Sequence, residues 1–225
     1  MKFQAYLTLV IFGFAMPTHS AAKEASNVEL RFVSFPKSRE PVQLEMLVGE
    51  EKTVVIEAPS NQVSRPMKVP SQATWIFGEK ALDSEGKPTF NIFGKVAAAN
   101  SPSQIILLVK KGMENSDGFE VLALDGRQKG FGAGKILFMN AAKIKIGADV
   151  AGKKFVLDPG KHRIISPAST NGLFQAILYF DRDGEARPFF SSRWPVNDDA
   201  RAMIFIYHDP RSKKLRIHSL REFLE

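Results

Sequence analysis

The chain has no cysteine in 225 residues. That removes disulfides, cysteine-ligated zinc, thiol catalysis and a lipid-modified N-terminal cysteine from consideration. It holds four histidines, so histidine-rich metal sites have little to draw on. Long apolar runs are missing too. The longest near the start, Ala5 to Met16, is uncharged but far short of the about 20 residues that span a bilayer. Patterns of helical period are scarce, as are the cap signals that open helices.

That first apolar run has a specific reading. Lys2 precedes it, Pro17 breaks it, and Thr18-His19-Ser20-Ala21-Ala22 supplies small residues. This is the layout of a secretory signal peptide over residues 1–22. Cleavage is expected between Ala22 and Lys23, or one step earlier, before Ala21. The expectation is a soluble exported protein, periplasmic or extracellular, with no membrane span after the signal peptide. About 200 remaining residues can build a core without disulfide staples.

What the remainder does have is strand pattern. Short β-rich runs such as Val28–Phe35, Val42–Val48, Thr53–Glu57, Ile105–Lys110 and Phe119–Leu124 alternate with polar or Pro/Gly segments. The second half continues with Lys135–Asn140, Lys143–Gly147, Lys153–Leu157, His162–Ser166, Leu173–Phe180, Arg187–Ser191, Ala202–His208 and Lys214–Ser219. Many short strands at this spacing predict an all-β protein of sandwiches or barrels. The one long glycine-rich break, Asp125 to Gly134, coincides with a change in charge. Residues 23–124 carry 12 basic and 13 acidic side chains, and residues 125–225 carry 18 and 11. The expectation is therefore two tandem antiparallel β-sandwich domains, 23–124 and 135–225, joined by a Gly-rich linker at 125–134.

The halves echo one another. Leu30–Val33 resembles Ile136–Met139, Thr53–Pro59 sits in the place of Lys154–Gly160, and Pro88–Phe90 matches Pro188–Phe190. Ile105–Val109 and Phe119–Leu124 are mirrored by Met203–Tyr207 and Leu215–Leu220. Matches that keep their order predict an internal duplication. The competing reading is that any two β-sandwiches share such patterns.

Motifs that usually carry chemistry fail on inspection. Gly130–Lys135 invites a phosphate-loop reading, but Lys129 stands where the first glycine belongs and Ile136 follows the lysine. Asp181–Gly184 has calcium-loop flavour, yet Ala186 occupies the obligatory glycine position, and Asp-Gly between two strands predicts a hairpin turn. His208 and Asp209 are chain neighbours and would face opposite ways on a strand. Asp198-Asp199 reads as turn chemistry, and no Gly-x-Ser-x-Gly elbow occurs. No catalytic residue, metal ligand or cofactor is assigned from this pattern. A hydrolase of envelope glycans stays open as an alternative, because glycosidase carboxylates meet in space and not in sequence. A purely structural or assembly role is the other alternative.

The basic residues of the second half are the stronger candidates. Lys143 and Lys145 alternate with isoleucines, Lys161 and Arg163 share one face, and Lys214 and Arg216 share another. Trp194, beside Pro195, is a candidate exposed aromatic. Together they suggest binding to an anionic envelope polymer or an acidic protein. Nucleic acid is not expected as a partner of an exported chain. The bland alternative is a solvated sheet face with edge-blunting lysines.

One stretch carries a resemblance. Phe131–Asn140, then Lys143–Gly147, then Phe155-Val-Leu-Asp-Pro-Gly160-Lys-His-Arg-Ile164 is a strand ending in Asn, a short hairpin, and a Pro-Gly turn into the next strand. It resembles modules of uncharacterised secreted bacterial β-sandwich proteins, and more distantly the periplasmic β-module of the alginate O-acetylation accessory family. The first half has Ser34 and Ala58-Pro59 at the corresponding places. The resemblance implies a non-catalytic envelope module and carries over no site residues.

Overall fold

A computed structural model describes residues 27–49, 52–114, 117–127, 129–168 and 172–223. The signal-peptide reading, with Ala22 and Lys23, lies outside them. The chain forms sixteen strands with no α-helix among the described residues. The first half contains β1 (Asn27–Phe35), β2 (Val42–Leu47), β3 (Thr53–Ala58), β4 (Met67–Pro70), β5 (Thr74–Leu82), β6 (Pro88–Ala97), β7 (Ser103–Lys110) and β8 (Phe119–Asp125). The second contains β9 (Ile136–Asn140), β10 (Ile146–Val150), β11 (Lys153–Leu157), β12 (His162–Ile165), β13 (Leu173–Arg182), β14 (Glu185–Pro195), β15 (Ala200–His208) and β16 (Leu215–Phe223).

The two halves have one topology. Sheets β4-β1-β7-β8 and β3-β2-β5-β6 build the first sandwich, and β12-β9-β15-β16 and β11-β10-β13-β14 build the second. Each strand of the first half corresponds to the strand eight places later. Even the register shifts coincide, between Phe77 and Gly78 in the first half and between Leu178 and Tyr179 in the second. One detail departs from the antiparallel expectation. β1 pairs parallel with β7, and β9 pairs parallel with β15. Parallel partners need a long crossover, and here each crossover contains the whole opposite sheet of the same sandwich together with one edge strand, β4 or β12.

The halves are not beads on a string. Alternate residues of β1 and β7 face two different cores. Leu30, Phe32, Ile106 and Leu108 pack with Met46, Ile56, Trp75 and Phe77 inside the first sandwich. Val33, Phe35, Ile105, Leu107 and Val109 pack instead with Leu137, Met139, Met203, Phe205 and Tyr207 of the second half. On their other side β9 and β15 place Phe138, Ile204 and Ile206 in the third core, with Ile146, Val150, Phe174 and Leu178. The result is four stacked sheets with three apolar layers. The inner strands are buried on both faces, which is why Ser103–Lys110 reads as an unbroken apolar run and not as an alternation.

The middle layer also corrects the linker. Phe131 is 5% exposed and belongs to that layer. The Arg201 guanidinium lies 4.6 Å from its ring and donates to its carbonyl at 3.1 Å. Gly126 N–H donates to Ser103 O at 2.8 Å. The stretch is therefore anchored at Gly126 and Phe131, while Arg127, Lys129, Gly130 and Ala133 stay exposed. Separating the halves would expose side chains worth about 1.5–3 kcal/mol each, on the order of 20 kcal/mol in gross terms. The two sandwiches are thus coupled through a shared apolar layer.

Candidate functional site

Strand direction brings most of the basic residues together. β9 and β15 run parallel, and β12 and β16 run antiparallel to them. The C-terminal ends of β9 and β15 therefore share one end of their sheet with the N-terminal ends of β12 and β16. Lys143 and Lys145 lie in the connection after β9, Lys161 immediately precedes β12, Lys214 immediately precedes β16, and Arg216 is the second residue of β16. Arg211 and Lys213, not singled out from sequence, join them from the β15–β16 turn. The cations cluster at a sheet end and not on a sheet face, because the turns and not the strand interiors carry them. Lys143 and Lys145 illustrate the point: the expected strand there begins only at Ile146.

Two of these cations have partners. Lys143 Nζ sits 3.7 Å from Glu120 of the first half, and Lys145 Nζ sits 3.4 Å from Asp158. Both lysines are about three-quarters exposed, so these pairs leave the charges open to solvent. Lys161, Arg211, Lys213, Lys214 and Arg216 make no ion pair among the described residues. Asp209 belongs to the turn itself. Its carboxylate accepts from Ser212 N–H at 2.7 Å and Arg211 N–H at 3.0 Å. Those backbone hydrogen bonds, Ser212 first, hold its pKa below the usual carboxylate value.

Arg163 and Trp194 have other surroundings. Arg163 lies near the same end, with its guanidinium 5.2 Å from the Phe155 ring centroid. Trp194 is in strand β14, not in a loop. It stacks on Phe138 at 6.2 Å and meets Phe174 at 5.9 Å and Phe190 at 5.4 Å. It is a half-buried part of the third core, where it cannot act as a free platform for a ligand. Trp75 is fully buried, and its indole N–H donates to Gln104 at 2.9 Å.

The other polar features hold the fold. Asn140 is fully buried. Its amide donates to Ile144 O at 2.8 Å and Leu157 O at 2.9 Å, and its carbonyl accepts from Ala142 N–H at 2.9 Å. Ser34 is its counterpart in the first half, donating to Ala58 O at 2.8 Å. Asp183-Gly184 forms the hairpin turn expected from sequence, with φ of 58° and 83°. Glu222 accepts from both Arg31 of the first half and Arg201. Burial pushes its pKa up, but the hydrogen bonds and charges of the two guanidiniums outweigh this and hold it below the usual range. His218 packs 4.9 Å from Phe35 across the middle layer. Burial lowers its pKa, a hydrogen bond to the Ser60 backbone opposes that, and the charge of Lys37 adds to the lowering. Among the described residues no group of three or more His, Asp or Glu is placed to hold a metal.

Sequence reasoning missed a cleft in the first half. It has a volume of about 660 Å³ and lies between the β1–β2 connection (36–41) and the β3–β4 connection (59–66). Arg39, Glu40, Glu57 and Arg65 line it. The signal available was the length of the polar stretch between Ala58 and Met67, against the short turn after Leu157. No protein-family model matches the chain, and no curated protein matches it.

Proposed function

We propose that this protein is an exported, non-catalytic envelope module that docks an anionic polymer through the basic end of its second half. The observation that carries the reading is the convergence of Lys143, Lys145, Lys161, Arg211, Lys213, Lys214 and Arg216 at one end of the β12-β9-β15-β16 sheet. Glu120, Asp158 and Asp209 oppose them, the first beside Lys143, the second beside Lys145 and the third bonded to its own turn. Clustered cations on a rigid edge raise local anion concentration and steer association over about a Debye length, 8–10 Å at moderate salt. The turns are fixed to a buried sheet, so the charges need little ordering on binding.

Retention of residues 23–225 on an immobilised anionic polysaccharide, eluted with a salt gradient, tests this. Lys143→Glu/Lys145→Glu and Lys213→Glu/Lys214→Glu should each elute at clearly lower salt. The four-site variant should not be retained near physiological ionic strength. Lys87→Glu/Lys95→Glu, at exposed positions on β6 and its hairpin in the β3-β2-β5-β6 sheet of the first half, serves as the charge-matched control. Equal elution of the control and the paired variants would show that only net charge matters and would sink the site.

A further inference from the structure

The identical topology of the halves makes each an internal control for the other. The β1–β2 and β9–β10 connections are nearly equal in length, residues 36–41 against 141–145. The next connection on the same side differs. Between β3 and β4 it runs over 59–66, and between β11 and β12 it is the four-residue turn 158–161. The first half thus carries an insertion on an otherwise repeated frame. Loops on a fixed scaffold are where binding residues concentrate.

The insertion is held, not loose. Phe32 N–H donates to Ser64 Oγ at 2.9 Å, and Ser64 N–H donates back to Phe32 O at 2.8 Å, which extends the edge of the first sheet. Ser60 is 3% exposed, and its hydroxyl bridges Ser38 N–H and Ser38 O, each at 2.9 Å. That bridge ties the insertion to the connection bearing Arg39. The Ser60 backbone also bonds His218 of the second half. Both walls of the cleft are therefore preorganised.

The charges in the cleft are balanced and unspent. Arg39 and Arg65 supply two cations, and Glu40 and Glu57 two anions. No ion pair joins them or ties them elsewhere among the described residues, although Glu57 accepts from Gln43 at 3.1 Å. A polyanion would meet the two carboxylates and a polycation the two guanidiniums. A small ligand carrying one charge of each sign meets neither penalty. Asn61 and Gln62 add amide donors and acceptors between the charged groups. The volume falls within the range of small-ligand sites.

We propose that this cleft binds a short peptide with free termini, its carboxylate facing Arg39 and Arg65 and its ammonium group facing Glu40 and Glu57. The guanidinium fork matches a carboxylate, and charge-assisted hydrogen bonds are the stronger kind. The site is separate from the basic end and does not depend on the polymer reading.

The test uses trialanine as probe against isotope-labelled protein, residues 23–225, followed by amide chemical shifts. Trialanine should shift resonances within 36–41 and 59–66 and leave 141–145 and 209–216 unmoved. Arg39→Ala/Arg65→Ala and Glu40→Gln/Glu57→Gln should each weaken binding by about tenfold or more. N-acetylated, C-amidated trialanine should bind no better than the weaker double variant. Three results would overturn the proposal: no saturable shifts at millimolar trialanine, binding of the capped peptide as tight as that of trialanine, or trialanine binding by either double variant as tight as by the unaltered protein. A neutral trisaccharide shifting the same resonances more strongly than trialanine would assign the cleft to sugars instead. Lys143→Glu/Lys145→Glu should leave trialanine binding intact, which separates this result from failure of the polymer reading.

Discussion

Glu222→Ala should be the most costly single change to a charged residue. Its carboxylate joins the two sandwiches. One oxygen accepts from Arg31 of β1, and the other from Arg201 Nε at 2.8 Å and a second Arg201 nitrogen at 2.7 Å. The three side chains are 14%, 24% and 9% exposed for Arg31, Glu222 and Arg201. Without the carboxylate, Arg201 keeps the Phe131 carbonyl and ring. Arg31 keeps no hydrogen bond or ion pair among the described residues, and its Nε is buried without a partner. Breaking a buried pair by deleting one member costs 3–5 kcal/mol, and the partial exposure of Glu222 brings the expectation to about 2–3 kcal/mol. Most of that is the stranded Arg31 charge. In an Arg31→Met background the cost of Glu222→Ala should therefore fall by about 1–2 kcal/mol. Urea denaturation followed by tryptophan fluorescence measures both. Trp75 and Trp194 report on different sandwiches, so one shared transition is also expected. A Glu222→Ala cost below about 0.5 kcal/mol, or the same cost with and without Arg31, would refute the argument.

Three further outcomes follow from the same contacts. Acidification should destabilise the fold in two stages. The folded pKa of His218 is lowered from 6.5, so the folded state binds fewer protons, and stability present above pH 6.5 is lost as pH falls below it. The folded pKa of Glu222 is lowered from 4.5, so its contribution is lost only as pH falls below 4.5, and denaturation midpoints measured from pH 7.5 to 3 should fall in both windows. His218→Gln should flatten the upper part of that profile. Asn140→Ala strands two carbonyls and an N–H, and should cost about 3 kcal/mol in chemical denaturation. Its counterpart Ser34→Ala, with one hydrogen bond to lose, should cost about 1 kcal/mol. Gly78→Ala would put a methyl 1.8 Å from Asn91 O, and should lower stability by about 3 kcal/mol. Gly147→Ala, with 3.5 Å to its nearest neighbour, should be near neutral by thermal melting.

Strand period and turn chemistry made the all-β class, most strands and the Asp183-Gly184 hairpin readable from the residues alone. The order of the halves was readable too, since Leu30–Val33 and Ile136–Met139 do occupy equivalent strands β1 and β9. Four things were not. The parallel pairing of β1 with β7 leaves no local mark, because strand direction is decided by the crossover and not by the strand. The middle apolar layer hid in plain sight. Ile105–Val109 is apolar on both faces, but a short apolar run fits a sandwich interior as well as a strand shared by two cores. Trp194 was expected to be exposed beside Pro195, whereas the proline ends an edge strand, where a missing N–H costs nothing, and the indole packs against the third core. The cleft escaped because its charged residues come from two connections and strand β3, about 25 residues apart at the extremes, brought together in part by the Ser60–Ser38 bridge.

The repeat also sharpens which charges belong to the frame and which to function. Lys37 and Arg39 follow β1 as Lys143 and Lys145 follow β9, each pair beginning three residues after the equivalent Ser34 and Asn140. A basic pair after the first strand is thus part of the repeated plan. What differs is its company. In the second half the pair meets Glu120 and Asp158 and sits among the further cations of the β15–β16 turn. In the first half the insertion stands beside it, bringing Arg65 and closing the cleft toward Glu57. The same sheet end has been left open and cationic in one copy and walled and charge-balanced in the other. Because the middle layer fuses the copies, both ends are carried on one rigid body. His218 bonds the Ser60 backbone at the point where the insertion meets β16. A polymer held at the basic end and a small ligand held in the cleft would then be presented at a fixed spacing, without any hinge between them.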